Sequence, residues 1–156
     1  MSEQRNTPAD LEGQAIGPVE IAVTADRVEL YVDTSGDDQV RWSDEAPPGF
    51  GSVLLFAVAD EFLHDPKIAP YTRTLLHLDQ SFTYLAPIAV GSVLIVEGTV
   101  TRVRQRADSY FVTFTSVARS GDEIVMESSS TFVLSDQGPE STFESYDEPP
   151  VRDRGI

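Results

Sequence analysis

Apolar residues recur along this chain with two different periods, and the change of period divides it. Val19, Ile21 and Val23 alternate with Glu20 and Ala22, the pattern of a strand covered on one side. Val28, Tyr31 and Val32 then fall at i, i+3 and i+4, which predicts a helix. Thr24 suits its amino-terminal cap, and Gly36 suits the left-handed position that stops it. Residues 37–50, with Pro47-Pro48-Gly49, read as turns.

Ser52 is placed to cap a second helix, running to about His64 and ended by Asp65-Pro66. Its segment Val53-Leu54-Leu55-Phe56-Ala57-Val58-Ala59 is apolar all round, so this helix has to be buried on most sides. The run is far short of the roughly 20 residues a membrane span needs. Beyond it the period returns to two. Leu76, Leu78, Gln80, Phe82 and Tyr84 are expected on one face of a strand. A long strand follows Gly91-Ser92, from Val93 to about Arg104. Tyr110, Val112, Phe114, Ser116 and Ala118 form another, Ser120-Gly121-Asp122 a hairpin turn, and Ile124 to Leu134 the returning strand. One buried helix followed by a mostly antiparallel sheet implies an α+β domain in which the sheet curls around the helix. That domain is expected over residues 17–135. Residues 1–16 read as a flexible arm, and residues 136–156, acidic and without periodicity, as a disordered tail.

A chain of 156 residues with 40% apolar side chains suits one globular domain. Its net charge of -15 repels phosphate backbones and anionic membrane surfaces, so neither nucleic acid nor a membrane is an expected partner. With no cysteine, disulfides, thiolate metal sites and cysteine nucleophiles are excluded. His64 and His77 are far apart in sequence and lack a carboxylate cluster at ligand spacing, so no metal or resident cofactor is expected. The first residues carry no apolar run of the signal-peptide kind, and a cytoplasmic location is the expectation.

Three groups of residues carry a resemblance. Ser35-Gly36-Asp37-Asp38-Gln39-Val40-Arg41-Trp42 resembles the Ser/Thr-Gly-Asp-x-Asn-Pro-x-His segment of MaoC-like hydratases and dehydratases. His77-Leu78-Asp79-Gln80-Ser81-Phe82-Thr83-Tyr84-Leu85-Ala86-Pro87-Ile88, with Val90-Gly91-Ser92-Val93-Leu94, resembles a strand and turn of FAS1-like (MaoC N-terminal-type) dehydratase domains. Gly121-Asp122-Glu123-Ile124-Val125 and Ser130-Thr131-Phe132-Val133-Leu134 look like their closing hairpin. The resemblance is strongest to the accessory subunit of two-subunit (3R)-hydroxyacyl-ACP dehydratases. It implies a single hotdog domain, acyl-CoA or acyl-ACP as substrate, and a homodimer or a heterodimer with a catalytic hotdog subunit, the sheets joined edge to edge.

Hydration of an enoyl thioester needs a base, an acid and donors for the enolate oxygen. In the catalytic relatives an Asp and a His share the proton work. Asp37 matches the Asp, while Trp42 stands at the His position and cannot titrate. The dyad is therefore incomplete, and whether the chain is itself an enzyme stays open. Asp37 equally suits a helix-terminating turn, its carboxylate on backbone amides. Gly51 and Ser52, at the start of the buried helix, are placed by the resemblance where a thioester carbonyl would meet unpaired amides; an ordinary helix start reads the same way. Arg102 and Arg104, with Arg106, line one face of a strand, suited to the phosphates of coenzyme A or of a carrier protein's phosphopantetheine, or to plain solvation. His64 reads as a helix cap and His77 as structural. Phe56, Phe62 and Trp42 read as core, or as tunnel lining. Two further readings are a hotdog acyl-CoA thioesterase using Asp60 or Glu61, and a non-catalytic module that binds an acyl thioester.

Overall fold

A computed structural model describes residues 7–138. The elements run β1 (Ala15–Ala22), α1 (Ala25–Ser35), α2 (Gly51–Leu63), β2 (Thr74–Tyr84), β3 (Val93–Arg106), β4 (Ser109–Ser120) and β5 (Glu123–Ser135). Short 3-10 turns at Pro8–Leu11, Val40–Trp42, Pro48–Phe50 and Ala69–Tyr71 link them. The five strands form one antiparallel sheet in the order β1-β3-β4-β5-β2, so β1 and β2 are its edges. The sheet curves around α2, as the hotdog expectation requires.

Local chemistry accounts for most of these boundaries. The Thr24 hydroxyl accepts from the Arg27 amide at 3.3 Å, and Gly36 ends α1 at φ 71, a left-handed conformation costly for any residue with a Cβ. Helix α2 starts one residue before the expected cap. Phe50 precedes it in helical conformation, continuing the Pro48–Phe50 turn, and Ser52 lies inside the first turn with its hydroxyl donating to the Gly49 carbonyl at 2.8 Å. Ser52 is therefore no N-cap: the preceding turn already supplies the entry geometry.

The core lies between α2 and one face of the sheet. Leu54, Leu55, Val58, Ala59 and Phe62 of the helix are fully buried, as are Val96, Val100, Val112, Phe114 and Leu134 of the strands. The Phe62 and Phe114 rings meet at 5.5 Å. Two hydroxyls on this inner face, Ser116 and Ser128, satisfy each other at 2.6 Å, and Ser130 donates to the Gln80 side chain at 2.8 Å. Burying them unpaired would be costly.

Two expectations about the strands change. The fold begins before residue 17: Pro8 and Leu11 are buried, the Gly13 amide donates to the Val100 carbonyl at 2.7 Å, and Ala15 pairs with Thr99. Leu11 alone among polar neighbours carries no period, so this stretch read as an arm. Residues 1–6 and 139–156, including most of the expected tail, lie outside the described residues. In β2 a register shift between His77 and Asp79 moves the faces by one residue. Leu75 and His77, opposite Leu134 and Phe132, share the inner face with Gln80, Phe82 and Tyr84, whereas Leu76 pairs with Val133 on the outer face. A strict alternation from Leu76 to Tyr84 misses this bulge.

Candidate functional site

The turn after α1 holds the sequence-selected aspartate. Gln39 ties it to α1 through its side-chain amide on the Glu29 carbonyl at 2.9 Å, and the Asp37 amide donates to the Val32 carbonyl at 3.1 Å. The Asp37 carboxylate is fully exposed, and both of its oxygens are engaged: Oδ1 accepts from the Asp38 amide at 2.8 Å and Oδ2 from the Trp42 indole Nε1–H at 2.8 Å. The Asp38 amide, then the indole, then the nearby Arg41 charge hold this carboxyl below the ordinary aspartate range. Arg41 stacks over the Trp42 ring at 4.7 Å. A carboxylate so stabilised is a weakened base.

Trp42 itself is half-buried between two hollows. On one side, a cavity of about 400 Å³ is lined by Trp42, Ala46, Pro48, Tyr84, Pro87 and Ile88, among others. On the other, a cavity of about 290 Å³ includes Val28, Gln39, Trp42 and Val90. Backbone pairing of Ala46 with Ile88 and of Val90 with Asp44 fixes these two segments against each other.

At the head of α2, Gly51 is buried, and the Tyr84 hydroxyl lies against it, donating to the Pro48 carbonyl. A Cβ on Gly51 would collide with that hydroxyl and approach Met126 Sδ to 2.9 Å and Phe82 Cδ1 to 3.0 Å. Glycine stands here for space, since its φ of -54 suits any residue. Burial pushes the Tyr84 phenol above its ordinary value, the Gly51 amide facing it pulls the other way, and Tyr31 adds a further rise. Tyr84 was read only as part of a strand motif. Its chemistry shows only in the fold, where Tyr84 pairs with Met126 and its hydroxyl meets the head of α2.

The remaining sequence-selected residues separate. Ser52 adjoins Gly51 with its hydroxyl on Gly49. Arg102 and Arg104 stand on the outer face of β3, in register with Thr113 and Phe111, on the side of the sheet away from α2. The fold does not gather them with Asp37 or Gly51. His64 caps α2: its Nδ1 lies 2.9 Å from the Asp60 carbonyl and 3.3 Å from the Asp60 carboxylate. His77 stacks on Phe132 at 4.9 Å, and Phe56 meets His77 edge-on at 5.6 Å. Phe62 is core, but Phe56 remains 41% exposed.

Other large apolar side chains of α2 and of the edge strand are exposed too, on both faces of β2. Helix α2 packs chiefly on β1, β3 and β4, and meets β2 through Gly51 against Tyr84 and Phe56 against His77. Val53 and Phe56 of the helix and Leu75, Leu76 and Leu78 of the edge strand are all exposed. An all-round apolar helix is thus only partly covered by its own sheet.

Comparison with known families decides the relationship. Residues 10–128 match the model of the FAS1-like, dehydratase domain region. The chain belongs to this family. A UPF0336 protein of Thermobifida fusca is 29% identical over 115 residues, covering 72% of this chain and 76% of that protein. Among solved structures, this family member resembles the C-terminally truncated HadBC (3R-hydroxyacyl-ACP dehydratase) complex of Mycobacterium tuberculosis. The TM-score is 0.67 at 19% identity, over 80% of this chain and 97% of that one. The ChsH1-ChsH2 complex of Mycobacterium tuberculosis matches with a TM-score of 0.62 at 16% identity, over 80% and 86% of the two chains. At such identities these likenesses are of fold; both are MaoC-like hotdog assemblies of two different subunits.

Proposed function

We propose that this chain is the accessory subunit of a two-subunit (3R)-hydroxyacyl-thioester dehydratase, and that a second hotdog protein supplies the catalytic Asp and His. The observation that carries this reading is the Asp37–Trp42 hydrogen bond. The group at the histidine position is a donor that cannot titrate, and it occupies the carboxylate that would otherwise activate water. No other histidine replaces it: His64 caps the far end of α2 and His77 lies against Phe132. At Gly51 the Tyr84 hydroxyl occupies the approach that a thioester oxygen would use.

The exposed edge supports the partner. An edge strand of eleven residues, without proline or lysine and carrying exposed leucines, is a template for pairing with another sheet. In this reading a partner paired there covers Phe56, Val53 and Leu75, and the acyl chain lies in the apolar space so enclosed. In this arrangement the partner performs the proton transfers, and this chain shapes the channel and excludes water from it.

The test is co-expression with a hotdog protein carrying Asp-x-Asn-Pro-x-His, followed by hydration of crotonyl-CoA. The isolated chain should be inactive and the complex active, with kcat unaffected by Asp37→Asn. Hydration by the isolated chain, lost in Asp37→Asn, would overturn the proposal. The thioesterase reading gains nothing from the structure, because Asp60 lies late in α2, exposed and paired with His64.

A further inference from the structure

Three of the chain's eleven basic residues stand in one row on the outer face of β3. Val103 packs inward against the core, so Arg102, Arg104 and Arg106 take the opposite face. With Phe111, Thr113 and Thr131 they line a groove of about 310 Å³. All three side chains are exposed. Among the described residues none of them has a carboxylate partner; the ion pair found there joins His64 and Asp60. Residues two apart on a strand lie about 7 Å from one another, so the three guanidiniums repel. Across the sheet, Arg102 pairs with Thr113, Thr113 with Thr131, and Thr131 with Asp79. The first carboxylate along that line is therefore three strand spacings away, about 14 Å, and two hydroxyls come before it. On a chain of net charge -15, such an uncompensated row calls for an anionic occupant.

The groove also holds a flat surface. Phe111 is half-buried in the row next to Arg104, and the Arg106 guanidinium lies over its ring at 5.8 Å. An inorganic phosphate would engage the guanidiniums and leave this platform unused. A nucleic-acid strand places many more phosphates than three cations can neutralise, and it would run on over an acidic surface. A single nucleotide matches both halves of the groove. Phosphate oxygens accept paired guanidinium hydrogen bonds, and a base stacks on an aromatic ring or on a guanidinium plane. The volume lies at the small-ligand end of the range for binding pockets.

We propose that this outer-face groove binds a nucleoside diphosphate. Its phosphates sit on Arg102 and Arg104 beside the Thr113 and Thr131 hydroxyls, and its base stacks on the platform of Arg106 and Phe111. The moiety comes either as a free nucleotide or as the adenosine diphosphate end of coenzyme A. The site lies on the face away from α2, so the inference stands independently of the dehydratase reading.

Equilibrium dialysis of the full chain against ADP at low ionic strength tests it. ADP should bind one per chain with Kd below about 1 mM. Pyrophosphate, which lacks the base, should bind about tenfold more weakly, and Phe111→Leu should weaken ADP by a similar factor. Arg102→Ser/Arg104→Ser, with its circular dichroism unchanged, should weaken ADP by about tenfold or more, and so should about 1 M NaCl, where the Debye length is about 3 Å. Coenzyme A dialysed in parallel separates the two sources: tighter binding than ADP assigns the coenzyme's nucleotide end, and weaker binding assigns a free nucleotide. No retention of ADP at about 5 mM, pyrophosphate binding as tightly as ADP, or ADP binding that survives the double arginine replacement would each overturn the proposal.

Discussion

Replacing Gly51 by alanine puts one methyl group into the tightest point of the site. The backbone at Gly51 is helical, so alanine fits its conformation and recovers at most about 1 kcal/mol of helix propensity. Space opposes it. The new Cβ would meet the Tyr84 hydroxyl, Met126 Sδ at 2.9 Å and Phe82 Cδ1 at 3.0 Å, and Met126 is fully buried. Forcing a methyl into a packed site costs about 1–3 kcal/mol. Displacing the Tyr84 hydroxyl from the Pro48 carbonyl removes a hydrogen bond worth about 1 kcal/mol. The net loss should be about 2 kcal/mol, or roughly 4–8 °C in Tm for a chain of this size. Urea and thermal unfolding followed by circular dichroism measure it. A double-mutant cycle with Tyr84→Phe isolates the hydroxyl's share: Gly51→Ala should cost less by about 1 kcal/mol once the hydroxyl is gone. A Gly51→Ala protein as stable as the parent would refute the claim that glycine stands there for space.

Four other outcomes follow from the same geometry. Asp37 is held below its ordinary value of 3.8, so its contribution is complete above that value and is lost as pH falls through the lowered one. Emission from Trp42, the only tryptophan, should therefore change only below about pH 3.8; persistence of that step in Asp37→Asn, which keeps an acceptor but does not titrate, would contradict the hydrogen bond. Tyr84, held above its ordinary value of 10.0, stabilises the fold below that pH and loses its contribution as pH rises through the higher one. The last phase of a spectrophotometric tyrosine titration should disappear in Tyr84→Phe. Phe62→Ala should cost about 3–5 kcal/mol in urea unfolding, because the ring is fully buried against Phe114. Leu78→Lys should abolish association with the hotdog partner in sedimentation while changing the isolated chain's stability by less than about 0.5 kcal/mol.

How much of this was legible along the chain depends on the range of the forces involved. Thr24, Gly36 and the run from Val53 to Ala59 announce α1 and α2 because capping, a left-handed stop and an apolar surface act within one or two turns. The turn at Gly121, with φ 58, and the alternation of β4 are local in the same sense. Asp37 and Trp42 stood out through the family resemblance, and the hydrogen bond between them emerged only in the structure. The Leu11 anchor was invisible, because a single buried leucine has no period. So was the bulge in β2, because one extra residue leaves no mark on composition, yet it decides that His77 rather than Leu76 shares a face with Tyr84.

By itself, then, the sequence determined the elements and their order, since each rests on contacts between residues close in the chain, while the family resemblance marked Trp42 as standing at a histidine position. Only the tertiary structure decided what surrounds them. It set Tyr84 against Gly51 across the fold, and it left Phe56 and the β2 leucines exposed. It also placed Arg102 and Arg104 on the sheet face away from α2. These depend on which strand neighbours which and on the register between them. Both are settled by the packing of segments distant in sequence, which no local pattern encodes.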